Sequence, residues 1–377
     1  MHKIKTNPEM KRNIFEMKKV HLLNNARFSI PCFPFLRNVQ WLLLQNKMME
    51  KPLLSYDHKS TNYFEMNTGN WWRDAEILMK KDILNELYPH RKNEHEDMIK
   101  HNHSIFNDHI LIPIIMFIDS THVSKNGRLK AEAVLCSIGT IPIKHRKQKK
   151  AWFNLGFVPN FSIDDIEDDI LYQQSLHTLL YEMEMACNNR RGISMDIYSL
   201  PYSQKIHFEV AFVIGDMSGH DSLCGHYKGY SKSVQRPCRA CNVTFDDLDD
   251  SYHVCKNINA TDIYEVVKQT IEIRKKGIHG TLINADEKCK SISQKQLIPT
   301  FSKFRFGGNH GGIFQCTPPE TIHALLLGVI QNIFECMFNF KVNEVVESVN
   351  NDDSISIDAS SKNSEVNENK KKHPRRM

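Results

Sequence analysis

Two apolar runs, each closed by an aspartate, constrain this chain more than anything else in it. The first is Ile114-Ile115-Met116-Phe117-Ile118, followed by Asp119; the second is Val210-Ala211-Phe212-Val213-Ile214-Gly215, followed by Asp216. Short unbroken apolar runs suit strands covered on both faces. A carboxylate at the end of such a strand is carried out of the buried sheet to its edge. If two such strands lie side by side, their carboxylates can share a divalent cation, as metal-dependent phosphodiester chemistry requires. The plain alternative is two strand-end aspartates opening turns, and what lies between them decides.

Residues 110–118 are apolar throughout, and Pro113 is expected to confine the strand to the second half of the run. Lys125-Asn126-Gly127-Arg128 carries an Asn-Gly turn signal, and a second strand over 131–138 stops at Gly139. A third strand over 152–158 stops at Pro159. The acidic stretch 164–169 suits a helix N-terminus, and Leu176, Leu179, Leu180, Met183 and Cys187 then share one helix face. A fourth strand over 207–214 delivers Asp216. Strand, strand, strand, helix, strand is the order of a ribonuclease-H-like core, in which the first and fourth strands are neighbours. The expected fold is therefore α/β, a mixed sheet with flanking helices, interrupted after Asp216 by a zinc-knuckle and helical insertion.

Around this core the chain divides into five stretches. Residues 1–105 form a mixed helical region with a helix over 71–87, and 106–216 form the core. The insertion covers 217–300, with a helical pattern over 262–276, and 301–345 return to the core through a Gly-rich turn and a helix from about 320 to 338. Residues 346–377 are Ser-, Asn-, Asp- and Lys-rich, a composition that cannot bury a core and reads as a disordered tail. Its basic end, Lys370 to Arg376, suits nuclear import or nonspecific nucleic-acid contact as well as it suits a plain charged tail. A net charge of +5 does not by itself demand an anionic partner. The ten cysteines show no disulfide framework, which favours a reducing compartment. The apolar stretch 20–45 is broken by Arg27, Pro31, Pro34, Arg37 and Asn38, too often for a membrane span. A soluble intracellular protein is expected.

Three further constellations carry chemistry. Cys238 and Cys241, in Arg236-Pro237-Cys238-Arg239-Ala240-Cys241, have the spacing to supply half of a tetrahedral Zn²⁺ site. His253 and Cys255 are the local candidates to complete it, and His310 and His323 the distal ones. Lys144, His145, Arg146, Lys147, Lys149 and Lys150 make a dense cationic hairpin tip suited to DNA phosphates, or simply a solvated loop. His220 and Asp221 follow Asp216 closely; a polar turn is the simpler reading of them.

Several blocks together resemble Plavaka-type transposases, relatives of the CACTA (En/Spm) group. They are Ile118-Asp119-Ser120-Thr121-His122; Gly139-Thr140-Ile141-Pro142 with Arg146, Ala151-Trp152 and Gly156-Phe157-Val158-Pro159; Gly215-Asp216-Met217-Ser218-Gly219-His220-Asp221; the cysteine pair; and Thr317-Pro318-Pro319-Glu320-Thr321-Ile322-His323. They occur in the family's order over roughly residues 55 to 340. The resemblance implies a DDE-type transposase with a ribonuclease-H-like core that cuts and joins DNA with Mg²⁺ or Mn²⁺. It carries Asp119 and Asp216 over as the first two acids and makes His323 the preferred distal Zn²⁺ ligand. It implies DNA as partner, a homodimer, and the nucleus as location if the element is eukaryotic. The third acid should be a glutamate on a later helix, where Glu335 and Glu344 are the candidates and Glu335 is taken. Glu320 lies in a block that suggests structure. Because the chain turns low-complexity after Phe340, the copy reads as truncated or decayed. The competing reading is a catalytically inactive, transposase-derived DNA-binding or interaction protein. A third, an unrelated metal-dependent nuclease of the same fold, has no need of the cysteine pair.

Overall fold

The computed structural model describes residues 15–21, 27–59, 65–122, 130–160, 167–227, 234–247, 250, 252–276 and 279–318, all within one compact unit, Met1–Glu320. The Asn126-Gly127 turn, Glu320, His323, Glu335, Glu344 and the tail lie outside the described residues.

In chain order the elements are β1 (Glu16–His21), β2 (Arg27–Cys32), α1 (Phe35–Leu43), α2 (Asn70–Leu87), α3 (His95–Lys100), β3 (His109–His122), β4 (Lys130–Ile138), α4 (Ile143–Arg146), β5 (Phe153–Asn160), α5 (Asp168–Cys187), β6 (Ile193–Met195), β7 (Gln204–Ile214), α6 (Met217–Cys224), α7 (Ala260–Lys276), α8 (His279–Ser291) and α9 (Ile313–Cys316). The strands build one mixed sheet in the order β1-β2-β5-β4-β3-β7-β6. β3, β4 and β5 form an antiparallel meander, and β7 joins the free side of β3 in parallel. The first and fourth of the four strands expected from sequence are thus neighbours.

The unbroken run in β3 follows from cover on both faces. Ile110, Ile112, Ile114, Met116 and Ile118 enter the main core with Phe35, Val39 and Leu42 of α1 and Leu176, Leu179, Leu180 and Met183 of α5. Leu111 points the other way, into a second cluster with Trp72, Ala75, Met79, Ile83 and Leu84 of α2. Each such side chain, fully buried, contributes about 1.5–3 kcal/mol. The amphipathic face expected of α5 is the one that packs, and the helices expected over 71–87 and 262–276 form as α2 and α7.

Pro113 does not confine β3 to the second half of its run: the strand begins at His109 and pairs with β7 through Pro113 opposite Glu209. The pairing with β4 starts only at Ile114 opposite Ile138. The Pro113 carbonyl accepts from the Gly139 amide at 2.7 Å, just past the end of β4. The missing Pro113 N–H points to that same side, where no ladder partner waits, so proline costs this strand little. β1 and β2 have no strong sequence signal, yet they extend the sheet beyond β5. Val20, Ile30 and Cys32 anchor them in the core, and Glu16 and Lys19 keep the edge strand charged. No helix among the described residues is long and apolar enough to cross a membrane.

Candidate active site

Register decides how the two aspartates stand to one another. In the parallel β3–β7 ladder Phe117 lies opposite Ile214. Two residues further on each strand come Asp119 and Asp216, level at the same end of the sheet. Neighbouring strands run about 4.8 Å apart, so carboxylates on this level are within reach of one cation. The approach is close because residue 215 is glycine: a Cβ there would collide with the Ile118 carbonyl oxygen.

The two carboxylates are held differently. Asp119 remains in β3, half-buried, and its Oδ1 accepts from the Ser120 amide at 2.8 Å. Asp216 leaves the sheet and caps α6, its Oδ1 accepting from the Gly219 amide. Gly219 lacks the Cβ that would crowd that oxygen. The cap uses one carboxylate oxygen. On the other face of the sheet, the Tyr172 hydroxyl of α5 is pushed well above its ordinary range. Burial is the main cause, followed by the negative charge of Glu132 and, more weakly, Asp216.

Behind Asp216 lies a buried polar cluster that sequence reasoning passed over. Arg239, only 7% exposed, sits between the two cysteines and points inward. Its Nη2 donates to His220 Nδ1 at 3.0 Å and its Nη1 to Asp221 at 3.3 Å, both on α6. Its Nε donates to the Thr317 hydroxyl at 2.9 Å. His220 is fully buried, and burial first, then Arg239, lowers its pKa to about 4 against the opposing pull of Asp216. A neutral ring accepting at Nδ1 carries its proton on Nε2. That atom turns toward the Val213 carbonyl at the end of β7 without a well-aligned hydrogen bond. His220 and Asp221 are therefore packed helix residues of α6, where a polar turn was the simpler expectation. Nothing in the motif marks Arg239 as buried, since arginine between two cysteines ordinarily faces water.

The cysteine pair fits half of a thiolate metal site. Cys238 Sγ receives the Ala240 amide at 3.4 Å. Burial pushes the Cys238 thiol up and the neighbouring Cys241 thiol adds to this, while the amides of Ala240 and Cys241 pull it down. The amides only partly offset the burial, and on balance the Cys238 thiol stays above its ordinary range. The turn is braced by the Ile258 amide donating to Ala240 O at 3.2 Å and by reciprocal bonds between Asn242 and Lys256. His253 is taken by Asp247 at 3.5 Å, Cys255 is exposed, and His310 lines a cavity of about 490 Å³ with Tyr264 and Arg305. Among the described residues, no three or more His, Cys, Asp or Glu side chains are grouped to hold a metal. The local candidates His253 and Cys255, and His310, thus do not join the cysteines. Within the same residues no further carboxylate completes a triad with Asp119 and Asp216. His323 and Glu335 lie outside them.

The basic segment is not a hairpin tip but α4 followed by a 3₁₀ turn, Lys149–Ala151, between β4 and β5. Ala133 lies opposite Asp119 and Ile138 opposite Ile114, so β4 carries the chain away from the aspartates before this segment begins. At about 3.3 Å per residue the separation is on the order of 20 Å. Lys144, Lys147, Lys149 and Lys150 are exposed. Arg146 is committed to structure: Nε donates to Ile141 O at 3.1 Å and Nη2 pairs with Glu65 at 3.4 Å. Burial lowers its pKa against the opposing Glu65 charge.

The family model for Plavaka transposase matches residues 39–335. No curated protein matches the chain.

Proposed function

Because the chain belongs to the Plavaka transposase family, we propose that it is a DDE-type enzyme whose sheet is a ribonuclease-H-like core and whose acids include Asp119 and Asp216. Family membership supports cleavage and transfer of DNA from a mobile element. The observation that carries the finer reading is the register of β3 on β7, Phe117 opposite Ile214, which leads both strands to an aspartate. Asp119 and Asp216 would hold Mg²⁺ or Mn²⁺, with Glu335 as the third acid. Such ions activate a water or a 3′-hydroxyl and stabilise the oxygen that leaves phosphorus. The chain's own contribution is orientation. Gly215 lets the strand ends close, and the α6 cap fixes one Asp216 oxygen. Cys238, Cys241 and His323 would hold Zn²⁺ and fasten the insertion to the segment after Thr317. Lys144, Lys147, Lys149 and Lys150, with Arg146 shaping the segment, would contact DNA phosphates some 20 Å from the reacting one, about six base pairs along a duplex. A homodimer acting in the nucleus completes the reading.

The test is nicking of element-end DNA by the purified chain with Mn²⁺ or Mg²⁺, alongside Asp119→Ala and Asp216→Ala. Nicking by the unaltered chain that both substitutions abolish is expected. Nicking that persists in both variants overturns the assignment of these acids. Binding of the same DNA without nicking in any sample points instead to a transposase-derived DNA-binding protein. Zinc content before and after Cys238→Ser tests the cysteine pair separately.

A further inference from the structure

We propose that Arg239 is a positioning residue for Asp216, coupling the cysteine turn to the acid site through α6. The inference rests on the reading of Asp216 as a metal ligand and adds a second residue to it.

The geometry is specific. A guanidinium buried in protein is costly unless its N–H groups are satisfied. Here they are satisfied by two segments far from Arg239 in sequence: Asp221 and His220 on α6, and Thr317 through both its hydroxyl at 2.9 Å and its carbonyl at 3.3 Å. The planar fork of arginine fixes these partners relative to one another, which a lysine ammonium cannot do. Two of them lie on the first turns of α6, the helix that Asp216 caps. A shift of α6 by one ångström moves Asp216 away from its level with Asp119 by the same amount, and metal ligation tolerates little of that.

The same contacts make Arg239 a fastening between the cysteine turn, α6 and Thr317. Thr317 directly precedes the stretch that carries His323. Arg239 transmits the state of the turn to α6. The Thr317 hydroxyl is itself oriented, lying 3.3 Å from the Ile313 carbonyl of α9. The arrangement therefore spans from α9 to the N-terminus of α6.

The experiment measures Mn²⁺ affinity of the full chain by electron paramagnetic resonance of free Mn²⁺, with thermal stability recorded on every variant. Arg239→Gln should weaken Mn²⁺ binding about tenfold, Arg239→Lys by less, and Thr317→Val, which keeps the guanidinium, by two- to threefold. Met183→Ala, a core truncation remote from α6, serves as the control for general loosening and should leave Mn²⁺ affinity unchanged. Unchanged Mn²⁺ affinity in Arg239→Lys and Thr317→Val overturns the proposal even if Arg239→Gln does not fold. So does a loss in Met183→Ala as large as in the Arg239 variants. Asp216→Asn separates this from the underlying reading. If it abolishes Mn²⁺ binding while the Arg239 and Thr317 variants bind normally, the ligand assignment stands and only the positioning role fails. If Asp216→Asn binds as tightly as the unaltered chain, the ligand assignment fails and the positioning role with it.

Discussion

The two ends of the sheet are built by different means. At the aspartate end, position is set by backbone: Gly215 against the Ile118 carbonyl, and Gly219 against the Asp216 carboxylate. At the basic end, position is set by one acidic side chain. Both Glu65 oxygens lie 3.0 Å from the Ile143 amide, and Glu65 also pairs with Arg146, leaving long lysines exposed beyond it. Ligation of a cation needs carboxylates placed to within a fraction of an ångström, and glycines that let backbones touch supply that. Attraction of phosphates needs only charge at the right height, and flexible lysines supply it. The contrast can be broken at either end.

The largest effect is expected at Asp216, because it is both cap and proposed ligand. Asp216→Ala and Asp216→Asn should each lower DNA nicking by about a thousandfold or more, near 4 kcal/mol in the barrier. Only Asp216→Ala should also cost about 1 kcal/mol of stability, since asparagine caps a helix nearly as well as aspartate. Chemical denaturation of the two variants separates the roles. Equal stability losses would mean that the cap contributes nothing.

Gly215→Ala comes next. The Cβ meets backbone rather than a movable side chain, so β7 must shift, at about 1–3 kcal/mol by denaturation. Mn²⁺ affinity should fall with it, because the shift separates Asp119 from Asp216. A variant as stable as the original would show that the strand ends are not held as close as their geometry indicates. Acidification probes the same end from another side. His220 is held neutral with its pKa depressed to about 4, against 6.5 in the unfolded chain. A group depressed in the folded state lends stability above its unfolded value and loses it as pH falls through the folded one. Stability relative to His220→Gln should therefore decline between pH 6.5 and 4 and be constant above that window.

How much of this was legible in the sequence differs between the ends for the same reason. Both aspartates are announced by the apolar runs that precede them; cover on both faces accounts for the first run, while the second stays apolar although Phe212 is exposed. The helix α5 is announced by its spacing of Leu176, Leu179, Leu180 and Met183. Both signals are local. Arg239 was not legible because its partners lie 18 to 78 residues away and its neighbours in sequence suggest exposure. β1 and β2 were missed because an edge hairpin buries few residues and keeps its charges. The run through Pro113 was misjudged because whether a proline harms a strand depends on where the neighbouring strand ends. The commitment of Arg146 to Glu65 likewise depends on a residue 81 positions away.

At the basic end the smallest effects are expected, and their form matters more than their size. Each lysine that neutralises one phosphate should contribute about 0.9 to the slope of log affinity against log salt. Lys144→Ala, Lys147→Ala and Lys149→Ala, taken one at a time, should each flatten that slope by up to this amount and weaken binding alike on element-end and unrelated DNA. Because the segment stands on the order of 20 Å from the aspartates, the single-turnover nicking rate at saturating DNA should stay within twofold. Arg146→Ala should behave otherwise. Its guanidinium is spent on Glu65 and Ile141, so its loss should cost stability, about 1–3 kcal/mol for a charge-assisted pair left open, with little change in the salt slope. A salt slope that flattens as much for Arg146→Ala as for the lysines would place Arg146 on the DNA. A nicking rate that falls tenfold for a lysine variant would bring the basic segment to the chemistry and erase the distinction between the two ends.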